Sequence, residues 1–269
     1  MGRASRTKQA QIYTKMCFNI FRNEKGWKIF ISAAIITIII SSVTSADMFQ
    51  EYKDTRNGAF ALVCACIWIG IFNSIQSICK ERAIIKREHR SGLHISSYIA
   101  AHMTYELALC FAESIIITLI VCIKNISHMP DGGVFLPSGL ELFISFFLIV
   151  YSSDVLGMMV SSIVKTTNTA MTVMPFVLII QLVMSGMIFE LKGFTEIISK
   201  FTIAKWGLNA ICTTADINSM FSMLATGDPA DYEHTFGHLI SLWFILAVFA
   251  LIYGLVAVLS LEFVDKDKR

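Results

Sequence analysis

Long uninterrupted runs of apolar residues dominate the pattern along this chain. A helix needs roughly 20 such residues to cross the hydrocarbon core of a bilayer. Six segments meet this length, at about 27–46, 58–79, 97–123, 140–164, 170–190 and 238–261. The runs are continuously apolar instead of alternating, which favours helices over a barrel of strands. We therefore predict an all-α polytopic membrane protein, with six transmembrane helices in a single transmembrane domain over 1–269.

The composition supports this class. Of the 269 residues, 55% are hydrophobic and 16% are charged. Soluble domains usually have about a quarter of their residues charged. The chain is therefore too apolar for a soluble globular domain.

The basic residues are unevenly distributed between the spans. If the N-terminus is cytoplasmic, 16 of the 22 Lys and Arg residues fall in the inner segments. Positive residues favour the cytoplasmic side of a membrane. We therefore expect both termini in the cytoplasm and a plasma-membrane location, with membrane lipid around the spans.

Three polar segments complete the predicted organisation. Residues 7–24 form an amphipathic helix of low hydrophobicity, suited to lie in the inner membrane interface. Residues 80–96 form a charged cytoplasmic helix between the second and third spans. The outer segment 191–237 begins with a moderately apolar helical stretch that is too polar to cross, so we expect a re-entrant helical segment before the last span.

The common catalytic and nucleotide-binding motifs are missing from the sequence. It contains no G-x-x-x-x-G-K-[ST] phosphate loop, no HExxH, no CxxC and no GxSxG. The six histidines are scattered, and their spacings do not suggest a shared metal site. We expect neither an active site nor a bound cofactor or metal on this chain, and no nucleic-acid partner.

Three acidic residues lie within predicted spans, where a charge is costly and often functional. Glu106 and Glu113 are seven residues apart on one face of the third span, and Asp154 lies near the middle of the fourth. One interpretation is a proton or cation pathway. The other, which we favour, is structural: the carboxyls are neutral or hydrogen-bonded to polar side chains of neighbouring spans.

The segment after the second span resembles a known family. It contains Glu81-Arg82, Arg87-Glu88, Gly92 and Tyr98, and Glu106 follows early in the third span. Together with the order of the other parts, these residues resemble the membrane domain of type-2 ABC exporters, and in particular its ABCG-like branch. The likeness covers nearly the whole chain, although outside 80–98 it rests mostly on the order of apolar and polar segments.

The resemblance implies an exporter permease in which 80–96 is a coupling helix that docks on a separate nucleotide-binding ATPase subunit, and ATP and Mg would bind to that partner. The residues expected in this contact are Glu81, Arg82, Lys86, Arg87, Glu88 and Arg90. A second permease chain, identical or related, would complete a dimer with the substrate path at its interface. The expected path-lining residues are Cys66, Ile69 and Asn73 on the second span and Ile179, Gln181 and Leu182 on the fifth, with Met187 and Ile188 as an outer constriction.

The chain also departs from the ABCG pattern. Those proteins usually carry the ATPase on the same chain, whereas this sequence shows none. Either a separate ATPase subunit completes the exporter, as in many bacterial systems, or the chain is one half of a larger system. The outer loop also lacks the extracellular disulfide cysteines of some animal members, which together with the short length suggests a bacterial protein. Two other functions stay open. One is an ion- or proton-coupled secondary transporter that uses Glu106, Glu113 and Asp154, and the other is a non-transport membrane scaffold.

Overall fold

The computed structural model describes residues 5–45, 47–130, 132–189, 191–220 and 229–264. About 79% of these residues are helical, and none of them forms a strand. They form two short 3₁₀ turns and ten α-helices: α1 (Arg6–Asn23), α2 (Lys28–Val43), α3 (Tyr52–Ser74), α4 (Ser77–Arg90), α5 (Ile95–Lys124), α6 (Ser138–Ile163), α7 (Thr167–Val183), α8 (Phe194–Ser199), α9 (Ile203–Thr214) and α10 (Phe236–Val264). The all-helical class predicted from the apolar runs is confirmed.

Four of the described helical stretches are long and apolar enough to cross a membrane. They are the α3–α4 stretch, α5, α6 and α10. A fifth is present if α1 and α2, which meet at a bend of 73°, are counted together. The apolar helix α7 is shorter, at 17 residues. By length and composition alone, the structure therefore supports four or five spans.

The α3–α4 stretch is too long to lie wholly inside a bilayer. It has 39 residues, which at 1.5 Å per residue extend over about 58 Å. A bilayer core is only about 30 Å thick. The charged part, from Lys80 onward, therefore projects beyond the hydrocarbon region, and we treat α4 as lying outside the membrane.

The centre of the bundle is the crossing of α3 and α6, where glycines permit close approach of the backbones. A Cβ on Gly70 would lie 2.4 Å from the Val150 carbonyl oxygen and 2.8 Å from the Asp154 nitrogen. A Cβ on Gly157 would lie 2.4 Å from Oγ of Ser74. Such small-residue contacts are typical of helix pairs in membranes. The crossing places the end of α3, and thus the start of α4, directly against α6.

The outer segment folds back onto the bundle through α9, which packs against α3, α6 and α10. Gln181 of α7 fixes its start, because Oε1 accepts hydrogen bonds from the amides of Ile203 (2.9 Å) and Ala204 (3.2 Å). These are amides that a helix leaves without an internal partner. Residues 221–228 of the predicted outer segment lie outside the described part of the chain.

Candidate functional site

The start of α4 is fixed by a single hydroxyl of α6. Oγ of Ser161 is buried and accepts hydrogen bonds from the amides of Ile78 and Cys79, both at 3.1 Å. The first amides of a helix have no partner within it. Ser161 therefore caps α4 from a different helix and ties the two helices together.

Glu81 faces inward, toward the start of α5. The Tyr98 hydroxyl donates a 2.7 Å hydrogen bond to Oε2 of Glu81, and Nε2 of His102 lies 3.8 Å from the same oxygen. The His102 imidazole holds the pKa of the Glu81 carboxyl below its usual range, and the Tyr98 hydroxyl adds to this against the opposing effect of burial. Glu81 is thus kept ionised by contacts within its own chain.

Glu88 also has a partner inside the chain, in α1. The Tyr13 hydroxyl donates a hydrogen bond to Oε2 of Glu88. Burial, followed by this contact with Glu88, raises the pKa of Tyr13. The Tyr13 ring meets the Tyr98 ring edge-on, with centroids 5.8 Å apart. The two tyrosines and two glutamates therefore join α1, α4 and α5.

A tight turn after α4 strengthens this junction. Gly92 has a φ of 110°, a conformation that favours glycine. The side chain of Gln9 in α1 bonds to both sides of this turn. Its Nε2 donates to the main-chain carbonyl of Gly92 (3.3 Å), and its Oε1 accepts from the main-chain amide of His94 (3.0 Å). The direction in which the chain leaves α4 is thereby fixed by α1.

Arg82 lies against the end of α6. Its guanidinium donates to the carbonyl oxygens of Ser162 (3.3 Å) and Val164. Backbone carbonyls at the end of a helix attract positive charge because the helix dipole is negative there. Arg82, like Glu81 and Glu88, is therefore engaged within the chain.

The remaining basic residues of α4 form an exposed face. Lys80, Arg87 and Arg90 are exposed, and Ile84 lies among them with 49% of its surface accessible. Residues at spacings of three, four and seven share one side of a helix. Lys86 is half-buried at the edge of this side. We call Lys80, Ile84, Arg87 and Arg90 the basic face of α4.

The three intramembrane acids come together inside the bundle. Glu113 and Asp154 are fully buried, and Glu106 is 5% exposed. Nδ2 of Asn73 donates a 2.8 Å hydrogen bond to Oε1 of Glu113. The Asp154 carboxyl interacts electrostatically with those of Glu106 and Glu113. The acids therefore belong to one interior cluster at the junction of α3, α5 and α6.

The sequence profile of the family described as ABC-2 type transporter matches residues 9–215, well over half of the chain. This chain belongs to the ABC-2 type transporter family. The matched range includes most of α1, the whole of α4 and the turn at Gly92, and it ends just after α9. The resemblance to type-2 ABC exporters is thus confirmed at the level of the family.

One relative of this ABC-2 chain is the ABC transporter ATP-binding/permease protein Rv1747 of Mycobacterium tuberculosis (strain ATCC 25618 / H37Rv). The two are 27% identical over 171 residues. That stretch covers 63% of this chain and 20% of the mycobacterial protein. The chain therefore corresponds to a minor part of the relative's length.

The expected path-lining residues of this ABC-2 chain occupy different environments. Cys66, Ile69 and Gln181 are buried within the chain, and Gln181 caps α9. Asn73 and Leu182 are half-buried, whereas Ile179 is exposed. Residues enclosed in one chain do not face a second chain in this arrangement, so of the six only Ile179 lies openly on the surface of the bundle.

The expected outer constriction lies beside a cavity. The chain turns at Gly186, whose φ is 78°, just past the end of α7. Met187, which is half-buried, and Ile188, which is exposed, line a cavity of about 690 Å³ together with residues of α8 and α9. The guanidinium of Arg56 donates to the Gly186 carbonyl (3.3 Å) and holds the turn against α3.

Several residues of the α4 junction were not predicted from the sequence. Gln9, Tyr13 and His102 position α4, and Lys80 and Ile84 complete its basic face. The basic face was detectable, because its positions follow a helical period that separates them from the buried Ile78 and Ile85. The contacts from α1 and α5 were not, since they join residues about 20 to 90 positions apart.

Proposed function

We propose that this chain is the membrane-spanning permease subunit of an ATP-driven exporter and that the basic face of α4 docks on a separate nucleotide-binding subunit. The subunit itself catalyses no reaction, and ATP and Mg bind to the partner. Membership of the ABC-2 type transporter family supports the permease role. The name of the mycobacterial relative, which combines ATP-binding and permease parts, supports the pairing with an ATPase.

The observation that carries the proposal is the division of charges on α4. Glu81, Arg82 and Glu88 are engaged within the chain and fix the helix. Lys80 and Arg87 are exposed on the opposite side, with Ile84 between them. A rigid helix with a basic face and a central apolar residue suits a partner with an acidic, partly apolar groove.

The direct contacts are therefore assigned to Arg87 and Arg90, with Lys86 at the edge. Glu81, Arg82 and Glu88 take part by positioning the helix. A movement of the ATPase subunit during the ATP cycle would then reach α5 through Glu81 and α6 through Arg82. All six residues of the expected contact set therefore keep a part in docking, three through contact and three through positioning.

The remaining features of the proposal concern the assembly. Six spans are proposed, with α2 and α7 as the first and fifth. Both termini are placed in the cytoplasm of a bacterial cell, and the chain in its plasma membrane. Two permease chains, identical or related, would enclose the substrate path along α3 and α7, with Met187 and Ile188 at its outer constriction.

The test is binding of a nucleotide-binding ABC subunit to this chain, measured with both proteins purified and the permease in lipid nanodiscs. Arg87→Glu is expected to weaken binding at least tenfold, because it reverses a charge on the basic face. The matched control is Lys53→Glu, which reverses an exposed charge at the start of α3, near the opposite end of the α3–α4 stretch. The control is expected to bind like the wild type.

A second pair of variants separates contact from positioning. Arg87→Ala is expected to weaken binding and ATP hydrolysis by the complex while thermal stability is unchanged. Glu81→Ala is expected to lower thermal stability as well, because it breaks the junction with Tyr98. Equal binding by the wild type, Arg87→Glu and Lys53→Glu would show that α4 is not the docking element.

A further inference from the structure

The interior cluster of Glu106, Glu113 and Asp154 has no part in the docking of α4. Two of its members lie on one face of α5, and the third faces them from α6. All three are at least 95% buried. The cluster therefore has to be explained by chemistry inside the bundle.

The carboxyl oxygens of this cluster have few hydrogen-bond partners. Neither Oδ1 nor Oδ2 of Asp154 has one, and Oε2 of Glu113 also lacks one. The Asn73 amide serves only Oε1 of Glu113. Oγ of Ser74 donates to the main-chain carbonyl oxygen of Asp154 (2.5 Å) and also lies near its carboxyl.

Another buried carboxyl of the same chain has a full set of hydrogen-bond donors. Glu141, at the start of α6, is also fully buried. It accepts hydrogen bonds from the amides of Val134 (3.0 Å), Phe135 (2.8 Å) and Leu136 (3.0 Å). Several amide donors stabilise a carboxylate. Asp154 has no such set, although it is equally buried.

Among the described residues, His102 is the base that interacts with the cluster, and it does so at Glu106. The titratable groups that interact with it from α3, α5 and α6 are those of Cys66, His102, Tyr105, Cys110 and Tyr151. None is a lysine or arginine, and His102 already lies against Glu81. Within the described residues, no group of three His, Cys, Asp or Glu side chains is arranged to hold a metal ion.

An ionised carboxyl in an apolar interior is so unfavourable that the group takes up a proton instead. A neighbouring carboxylate adds repulsion and favours protonation further. We propose that Glu113 and Asp154, beside Glu106, form a buried proton-binding site that is occupied at neutral pH. Each of these two carboxylates takes one proton from the aqueous phase to become a carboxylic acid.

Infrared spectroscopy of this chain in phosphatidylcholine nanodiscs tests the proposal. The C=O stretch of carboxylic acids is separate from the carboxylate bands and shifts in D₂O. The wild type is expected to show this band at neutral pH, and Glu113→Gln and Asp154→Asn are each expected to remove part of it. Glu51→Gln, in an exposed position before α3, is the control and should leave the band unchanged.

The amide variants also provide a test through folding. Gln and Asn have the shape of the protonated acids, so both variants are expected to keep the wild-type thermal stability within a few degrees. Failure of both to fold would overturn the proposal, as would a wild-type spectrum without the acid band. Loss of the band when Na⁺ replaces choline in the buffer would instead indicate a bound cation, and would also overturn it.

The proton site is independent of the proposed docking of α4. The infrared measurement uses this chain without an ATPase subunit. A positive band together with failed ATPase binding would leave the proton site standing and remove the docking proposal. ATPase binding without the acid band would leave the docking proposal standing and remove the proton site.

Discussion

The Tyr98 hydroxyl donates a 2.7 Å hydrogen bond to Oε2 of Glu81 and so joins the start of α5 to α4. Tyr98 is almost fully buried, and its ring also contacts His102, with centroids 4.5 Å apart. A residue near the end of a membrane helix thereby sets the orientation of the charged helix outside the membrane.

Tyr98→Phe removes this hydrogen bond while keeping the ring. Hydrogen bonds to charged groups contribute about 1.5–3 kcal/mol, so we expect the free energy of unfolding to fall by about 1.5 kcal/mol. Unfolding in mixed micelles measures it. Tyr253→Phe is the control, because that hydroxyl makes only a 3.4 Å contact with the Phe201 carbonyl. Equal losses in the two variants would contradict a special role for Tyr98.

Glu81 predicts a pH dependence with a definite sign. Its pKa is lower in the folded chain than its ordinary value, because His102 and Tyr98 favour the ionised form. Its contribution to stability is therefore present at neutral pH and is lost as the pH falls below about 4.3, the ordinary glutamate value. The difference in melting temperature between the wild type and Glu81→Gln should shrink on acidification. A difference that stays constant from pH 7 to below about 4 would contradict this.

Gly70→Ala tests the close crossing of α3 and α6. The new methyl group would lie 2.4 Å from the Val150 carbonyl oxygen, so the helices must separate. Overpacking of this kind typically costs up to about 3 kcal/mol, and we expect a loss near that value. Gly237→Ala, in α10 with no atom within 4 Å of the new methyl group, should change stability by less than about 1 kcal/mol. A loss as small for Gly70→Ala would show that the crossing can relax.

Gln181 predicts a local effect on the outer segment. Gln181→Leu leaves the amides of Ile203 and Ala204 without the acceptor they have in the wild type. Each unsatisfied buried amide costs about 1–3 kcal/mol. Hydrogen exchange at the start of α9 is therefore expected to accelerate at least tenfold, with exchange in α5 unchanged. Uniform acceleration throughout the bundle would indicate a global effect instead.

The class of this protein follows from its apolar runs, because backbone groups in lipid must be satisfied within helices. The arrangement of α4 does not follow in the same way. Glu81 and Arg87 are both charged residues of the same predicted helix, yet Glu81 contacts Tyr98 and Arg87 is exposed to solvent. Which side of α4 is covered depends on where α1 and α5 lie, and no local pattern specifies that.

The fifth apolar run shows a similar limit. Its pattern predicts a span over 170–190, but the helix α7 ends at Val183 and the chain turns at Gly186. The resemblance to type-2 ABC exporters implies a path-lining role for Gln181. Its partners, the amides at the start of α9, are 22 and 23 residues away. The sequence does not show these partners, because the contact forms only when the segment containing α9 packs back against α7.

The double hydrogen bond of Ser161 has a mechanical consequence. A force applied to α4 acts on a helix that extends beyond the bilayer and is attached to α6 at its start by this hydroxyl. Since α3 and α6 cross within contact distance at Gly70 and Gly157, the two helices have little room to move relative to each other there. We therefore expect a movement of α4 to shift α6 with it, through the hydrogen bonds of Ser161.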